Sequence, residues 1–261
     1  MPIKRPAMPT SRPPKISVIT VSYNAAGTIA ETIISVAAQD YSHVEHIVID
    51  GASNDDSVAI AEKHLRPGGI IRSEPDKGLY DAMNKGLALA SGDIVAVLNA
   101  DDHFAHSSVL SDIAARFEAS DKDAVFADIA FFNPDNPDRI VRRYRSDRFR
   151  PERIGWGWMP AHPGMFVKRS VYEKVGGYDI GYQIASDFDF VVRAFGRHRC
   201  TYEFTNEIAV LMRPGGISTA NFAARRMISR EMLRACRTHG IRSNWLMLLS
   251  RYPAKALEWL R

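Results

Sequence analysis

The chain has 261 residues, of which 34 are Lys or Arg and 30 are Asp or Glu, for a formal charge of +4, and 46% are hydrophobic. That composition supports a buried core and excludes a disordered polymer, and no apolar run approaches the roughly 18 residues that span a bilayer. The charge is unevenly spread: residues 1–138 hold 11 basic and 20 acidic side chains, a balance of −9, whereas residues 139–261 hold 23 basic and 10 acidic, a balance of +13.

Residues 1–14 carry prolines at 2, 6, 9, 13 and 14 among Lys4, Arg5 and Arg12. With no apolar stretch they read as a flexible lead-in and not as a secretory signal, so a cytoplasmic protein is expected. The β-branched run at 16–21 then ends at Ser22-Tyr23-Asn24, and Ile29, Ile33, Val36 and Ala37 repeat with a helical period. A strand at 44–49, a helix at 55–64 opened by Ser53 or Asp55, a short strand at 70–71 and a helix at 79–90 follow. Next come a strand at 94–98, a helix at 109–117 capped by Ser107, and a strand at 124–127. Strands alternating with helices predict an α/β fold, a mostly parallel sheet covered on both faces.

From about residue 130 the rhythm breaks. Asn133-Pro134-Asp135-Asn136-Pro137 is rich in turn formers, and arginines crowd positions 139, 142, 143, 145, 148, 150 and 153 before Trp156-Gly157-Trp158. A strand at 165–167, a helix from Ser170, a helix at 187–195 and a strand-like 208–212 complete one continuous domain over 15–220. Residues 221–261 read as amphipathic C-terminal helices. Arg226, Arg230, Arg234 and Arg237 share one face of the first, opposite Ala224, Ile228, Met232 and Ala235. Ser243 would cap a second helix carrying Trp245, Leu248, Leu249 and Tyr252, before Pro253, with Trp259 and Leu260 near the chain's end. Such helices could pack on their own domain, on a second copy in a homodimer, or peripherally on the inner, anionic face of the cell membrane; the three remain open. Cys200 and Cys236 have no metal-type spacing, and no nucleic-acid-binding motif is present.

Three strands run into polar clusters: Ser22-Tyr23-Asn24, Asp50-Gly51-Ala52-Ser53, and Asn99-Ala100-Asp101-Asp102. In open α/β sheets a ligand sits outside the carboxyl ends of the strands, so these clusters converge on one crevice. Taken in order, Val18-Ile19-Thr20-Val21-Ser22-Tyr23-Asn24, Val48-Ile49-Asp50-Gly51-Ala52-Ser53-Asn54-Asp55, Glu74-Pro75-Asp76-Lys77-Gly78-Leu79-Tyr80-Asp81-Ala82-Met83-Asn84-Lys85-Gly86 and Leu98-Asn99-Ala100-Asp101-Asp102 resemble the family 2 glycosyltransferases of GT-A fold, in particular bacterial exopolysaccharide enzymes of the colanic acid type. The resemblance covers about residues 15–215 and implies a single Rossmann-like domain with a helical C-terminal extension. Residues 15–130 would form the nucleotide-binding part and 131–220 the acceptor part.

By that resemblance the chain is an inverting, metal-dependent glycosyltransferase using a UDP- or GDP-sugar. Asp50 would accept a base N–H, with Gly51 letting the backbone approach a flat ring. Thr20, Val21 and Tyr23 would wall the same pocket, and Asp76 and Lys77 would meet ribose or pyrophosphate beside a helix start. Asn99 and Ala100 would line the donor site. Asp101 would hold Mn²⁺ or Mg²⁺, hard cations that take oxygen ligands; Asn99 departs from the family's usual acidic residue and adds no charge. Asp187 matches the family's general base, with Ser186 where Glu is commoner, while Asp189 faces elsewhere on the helix. An aspartate at its ordinary pKa of about 3.9 is a weak base, although late proton transfer would suffice. His162 would contact the donor phosphates, the acceptor or the metal, and Arg213 the diphosphate. The absence of a Gln-x-x-Arg-Trp segment implies addition of one sugar, to a lipid-linked or saccharide acceptor. Two rivals are a sugar-nucleotide pyrophosphorylase, which wants an arginine in the loop at 24–28, and a non-catalytic saccharide-binding relative, which would be expected to lack Asp101 or Asp187.

Overall fold

The computed structural model describes residues 12–215 and 222–251. Most of the lead-in, residues 216–221, and Tyr252, Pro253, Trp259 and Leu260 lie outside the described residues. The first part of the chain alternates as its apolar runs require: β1 (Ile16–Ser22), α1 (Ile29–Ala37), β2 (Val44–Asp50), α2 (Ser57–His64), β3 (Ile70–Ser73), α3 (Leu79–Leu89) and β4 (Ile94–Asn99). There follow β5 (His103–Phe104), α4 (Val109–Ala119), β6 (Ala124–Asn133), β7 (Asn136–Tyr144), β8 (Met165–Lys168), α5 (Arg169–Val175), α6 (Ser186–Val191), β9 (Tyr202–Met212), α7 (Phe222–Thr238) and α8 (Trp245–Leu249).

The strands form one sheet in the order β3-β2-β1-β4-β8-β6-β9-β5, with β7 paired to β6. β1, β2, β3 and β4 are mutually parallel and β6 is parallel to β9, whereas the shorter β8 and β5 join antiparallel. Alternation along each strand divides the core between the two faces. Ile19, Val21, Val95 and Val97 pack with Tyr80 and Met83 of α3 and Phe188 and Phe190 of α6, while Val18, Ala96 and Leu98 pack with Leu110 and Ile113 of α4.

Three local readings are corrected. The N-cap of α4 is Ser108, not Ser107, and that of α8 is Asn244, whose Oδ1 accepts the Met247 N–H at 2.9 Å. Ser243 instead donates to the Gly155 carbonyl at 2.7 Å. The arginine-rich stretch after residue 135 contains the strand β7, which closes a hairpin with β6 across the Asn133–Asn136 turn. The apolar face of α7, with Met232, Leu233, Ala235 and Cys236 buried, lies on its own domain and leaves Arg226, Arg230, Arg234 and Arg237 exposed. A contact with a second copy or a membrane must therefore use another surface. Among the described residues no helix is long and apolar enough to cross a membrane.

Candidate active site

The parallel strands bring their carboxyl ends into register: Ser22 lies beside Asp50, Asp50 beside Ser73, and Val21 beside Asn99. The loops after β1 and β2 are laced together, since the Asn24 N–H donates to Ser53 Oγ at 2.8 Å and Asn24 Oδ1 accepts the Asn54 N–H at 2.9 Å. Asp50 is 1% exposed and accepts the Ser53 N–H at 2.8 Å, Ser53 Oγ at 2.5 Å and Ser73 Oγ at 2.8 Å. It ties two strand ends together.

Gly51 forms a floor between two of the expected donor residues. A Cβ there would meet the Asp76 carboxylate at 2.5 Å and the Tyr23 ring at 3.3 Å. Tyr23, 64% exposed, stands at the mouth. Lys77 is exposed on the same loop, which Lys85 braces by donating to the Pro75 carbonyl at 2.7 Å and pairing with Glu74 at 3.1 Å. Thr20 does not join this wall. It is wholly buried with its hydroxyl against His46 Nε2 at 2.9 Å, because strand alternation points it to a covered face of the sheet, in register with the buried Val48 and Leu98. Val21 and Ala100 are likewise buried and meet through the Ala100 N–H and the Val21 carbonyl, 3.2 Å apart.

At the end of β4, Asp101 is half-buried and Asp102 is 1% exposed. Asn99 Nδ2 donates to Asp102 Oδ2 at 3.1 Å, which leaves Asp102 Oδ1 and Asn99 Oδ1 buried without a partner. Burial raises the pKa of both carboxyls; for Asp102 the adjacent Asp101 adds to this and the value reaches about 8. Arg213 just beyond β9 opposes both shifts. It donates to Glu31 at 3.1 Å and lies over the Phe132 ring at 5.2 Å. Adjacent carboxyls, one of them with a buried oxygen that has no partner, suit a hard divalent cation. Among the described residues no three His, Cys, Asp or Glu side chains cluster in a way that could hold a metal, so phosphate and water oxygens would have to complete its shell.

Asp187 stands in the first turn of α6, where its Oδ1 accepts the Phe188 N–H at 2.8 Å and the Tyr80 hydroxyl at 3.3 Å. Burial pushes its pKa up to about 6. The single hydroxyl hydrogen of Tyr80 is shared with the nearer Ile184 carbonyl at 2.6 Å, which links the Asp76–Lys77 loop and the α3 start to Asp187. Glu231 of α7 was not singled out from the sequence. Its Oε1 accepts the Gln183 N–H at 2.8 Å, and its Oε2 accepts those of Ile184 and Ala185, each at 2.9 Å, so it fixes the loop that delivers Asp187. Asp189 does face elsewhere, between Arg193 at 2.8 Å and His239 at 3.0 Å. His162 is bonded through Nε2 to the Tyr178 hydroxyl at 2.8 Å, and burial lowers its pKa to about 4. It is therefore neutral near pH 7 and supports Tyr178, which stacks on Tyr80 at 5.8 Å.

Strands β1 to β4 run parallel and carry Asp50 and the Asp101–Asp102 pair at one edge, as the resemblance to the GT-A glycosyltransferases implies. The sequence profile of glycosyl transferase family 2 matches residues 17–176, and the chain belongs to that family. An uncharacterised glycosyltransferase of Mycobacterium tuberculosis is 39% identical over 184 residues, 69% of each chain. A PGL/p-HBAD biosynthesis glycosyltransferase of Mycobacterium bovis BCG is 29% identical over 186 residues, 70% of each. Among solved structures, S. aureus TarS 1-349 in complex with UDP-GlcNAc is similar with a TM-score of 0.65 at 20% identity, over 84% of this chain and 66% of that one. The mannosyltransferase PcManGT of Pyrobaculum calidifontis, in complex with GDP-Man and Mn²⁺, gives 0.61 at 20% identity, over 85% and 63%. The chain thus spans just under two thirds of these two structures.

Proposed function

We propose that the chain transfers one sugar, with inversion, from a UDP- or GDP-sugar to a hydroxyl of a lipid-linked or saccharide intermediate of a bacterial surface glycan. The observation that carries this reading is Asp187, a carboxyl raised to about 6 at the loop that joins the donor side to α6. Near pH 7 Asp187 is mostly ionised yet basic enough to take a proton. The acceptor oxygen bonds to the anomeric carbon as its proton passes to Asp187, and the bond to the nucleoside diphosphate breaks on the opposite face. Tyr80 holds the carboxylate, and Glu231 fixes the loop before it, so the base is pre-positioned.

Tyr23, Gly51, Asp76 and Lys77 would receive the nucleoside and ribose, and Arg213 would meet the departing diphosphate. Asp101, with Asp102 and Asn99 behind it, would hold Mn²⁺ or Mg²⁺, which when bound neutralises charge on the diphosphate. Neighbours bound to UDP-GlcNAc and GDP-Man support a nucleotide-sugar donor, and a relative named for PGL biosynthesis supports a surface-glycan acceptor. Placement at the inner face of the cell membrane belongs to the same proposal. Calorimetry with UDP and GDP, with and without Mn²⁺, tests it. Asp101→Ala is expected to lose metal-dependent nucleotide binding, and Asp187→Asn to keep binding but lose transfer. If the wild type binds neither nucleotide in the presence of either metal, the reading fails.

A further inference from the structure

Residues 176–185 lead into Asp187 without forming a helix or a strand, so no ladder of their own fixes where the carboxylate sits. Bonds from neighbouring elements have to do so. The Asn84 amide of α3 holds both backbone groups of Tyr178, accepting its N–H at 2.8 Å and donating to its carbonyl at 2.7 Å. Beyond Tyr178, α3 supplies the Tyr80 hydroxyl to the Ile184 carbonyl, and α7 supplies Glu231 to the N–H groups of 183–185. Arg234, about one turn after Glu231, donates to the Gly181 carbonyl at 3.0 Å and lies 4.4 Å over the ring of Tyr182. Tyr182 is 3% exposed and its hydroxyl faces Asp189. Just past the end of α7, His239 Nε2 lies 3.0 Å from Asp189 Oδ1, a buried carboxylate in the first turn of α6.

These contacts bracket the base. Arg234 meets the chain at 181 and 182, Glu231 at 183–185, and His239 meets α6 itself two residues after Asp187. Between them, Met232 and Leu233 of α7 share the core with Ala185 and Phe188, which stand on either side of Asp187 in sequence. The polar contacts are directional, since a guanidinium fits a carbonyl and an aromatic face only in set orientations. A segment without secondary structure is thereby held in one place along its length by a single helix.

We propose that Arg234 and His239 are positioning residues for the transfer: through Gly181, Tyr182 and Asp189 they make α7 a clamp that sets Asp187 against Tyr80. This rests on Asp187 being the base. Tyr80 of α3, Tyr178 and Glu231 of α7 are the titratable groups that face Asp187. Burial is the largest cause of its raised pKa and the Tyr80 hydroxyl opposes it, so a slack clamp that admits water lets the carboxyl fall toward the ordinary value of about 3.9. Loss of a cation by itself would raise the value, so a fall identifies the contact and not the charge.

The titration of Asp187 in the full chain tests this without donor or acceptor, read from the carbon-13 signals of labelled aspartate carboxyls, with Asp187→Asn identifying the signal. The wild type is expected to titrate at about 6. Arg234→Met with His239→Ala should titrate lower by about 1, a tenfold loss of proton affinity, and Arg234→Met alone by about 0.5, a threefold loss. Arg234→Lys keeps a cation over Tyr182 and a donor for Gly181 and should restore the wild-type curve. Arg230→Gln, on the exposed side of α7, should leave it in place. All of these variants should bind UDP or GDP with Mn²⁺ as the wild type does, since the donor residues lie on other loops. An Asp187 titration that is unchanged or raised in both Arg234→Met variants overturns the proposal, as does an equal fall in Arg230→Gln. Failure of nucleotide binding in the wild type would instead count against the transfer reading.

Discussion

The chemistry of single residues gives the sharpest predictions. Asp187 is inactive as a base while protonated, so with its pKa raised to about 6, kcat is expected to rise with pH through about 6 and level off above it. Asp187→Asn should lower kcat by about 10²- to 10⁴-fold. The Tyr80 hydroxyl stabilises the ionised carboxylate and the Glu231 charge destabilises it. Tyr80→Phe should therefore move the limb to higher pH and Glu231→Gln to lower pH; profiles of kcat that stay in place in both variants would remove these two from the machinery. Asp102 makes a stability prediction of definite sign. Its pKa is raised to about 8, so the folded state holds a proton that the unfolded chain releases above about 4, and the contribution is full below that pH and is lost as pH rises toward 8. Melting in EDTA should fall across that window, by about 2–4 °C per kcal/mol. Mn²⁺ should restore more at pH 8 than at pH 5, and Asp102→Asn should flatten the profile; a metal effect independent of pH would place the cation elsewhere.

At the scale of elements, the β6–β7 hairpin hangs on Asp128. This carboxylate is 1% exposed and accepts Arg143 Nε at 2.7 Å besides the Ser146 N–H. Arg143→Met leaves it short of its cation and should cost about 2 kcal/mol, less than a fully buried pair because Arg143 is 41% exposed. Arg139→Met on the same exposed strand should stay within about 0.5 kcal/mol, and the two urea midpoints compare them directly. β7 was illegible in the sequence for a physical reason. Its consecutive Ile140 and Val141 are both exposed and Arg142-Arg143 follow, so no two-residue period survives, and the buried partner of Arg143 comes from another strand. The repeating strands and helices up to β6, the two-residue β5 apart, were legible because both sheet faces are covered and β1, β2, β4 and β6 each carry a buried apolar run. The acidic pair and Asp187 were legible as short motifs, but Thr20 was misplaced, since a motif does not say which way a strand residue points. Glu231 left no local signal at all: its three N–H partners lie 46 to 48 residues away in sequence.

Over the whole molecule the −9 and +13 halves separate by role. The acidic half supplies Asp50, Asp76, Asp101 and Asp102 to the crevice, a field that repels a diphosphate until a cation is bound. The basic half supplies the outer face of α7, where Arg226, Arg230 and Arg237 remain exposed while the apolar face beneath them is covered. Such a surface should hold an anionic bilayer by charge, with α8 supplying the apolar contact. Each basic side chain near an anionic surface contributes about 1 kcal/mol, and the Debye length shrinks from about 30 Å at 0.01 M salt to about 3 Å at 1 M. Sedimentation with phosphatidylglycerol vesicles is therefore expected at low salt and release at high salt. Arg226→Gln, Arg230→Gln and Arg237→Gln together should weaken association by about tenfold or more and leave nucleotide binding intact. If vesicles of this lipid fail to retain the wild type at low salt, the exposed arginines serve solubility alone and the acceptor must reach Asp187 from solution.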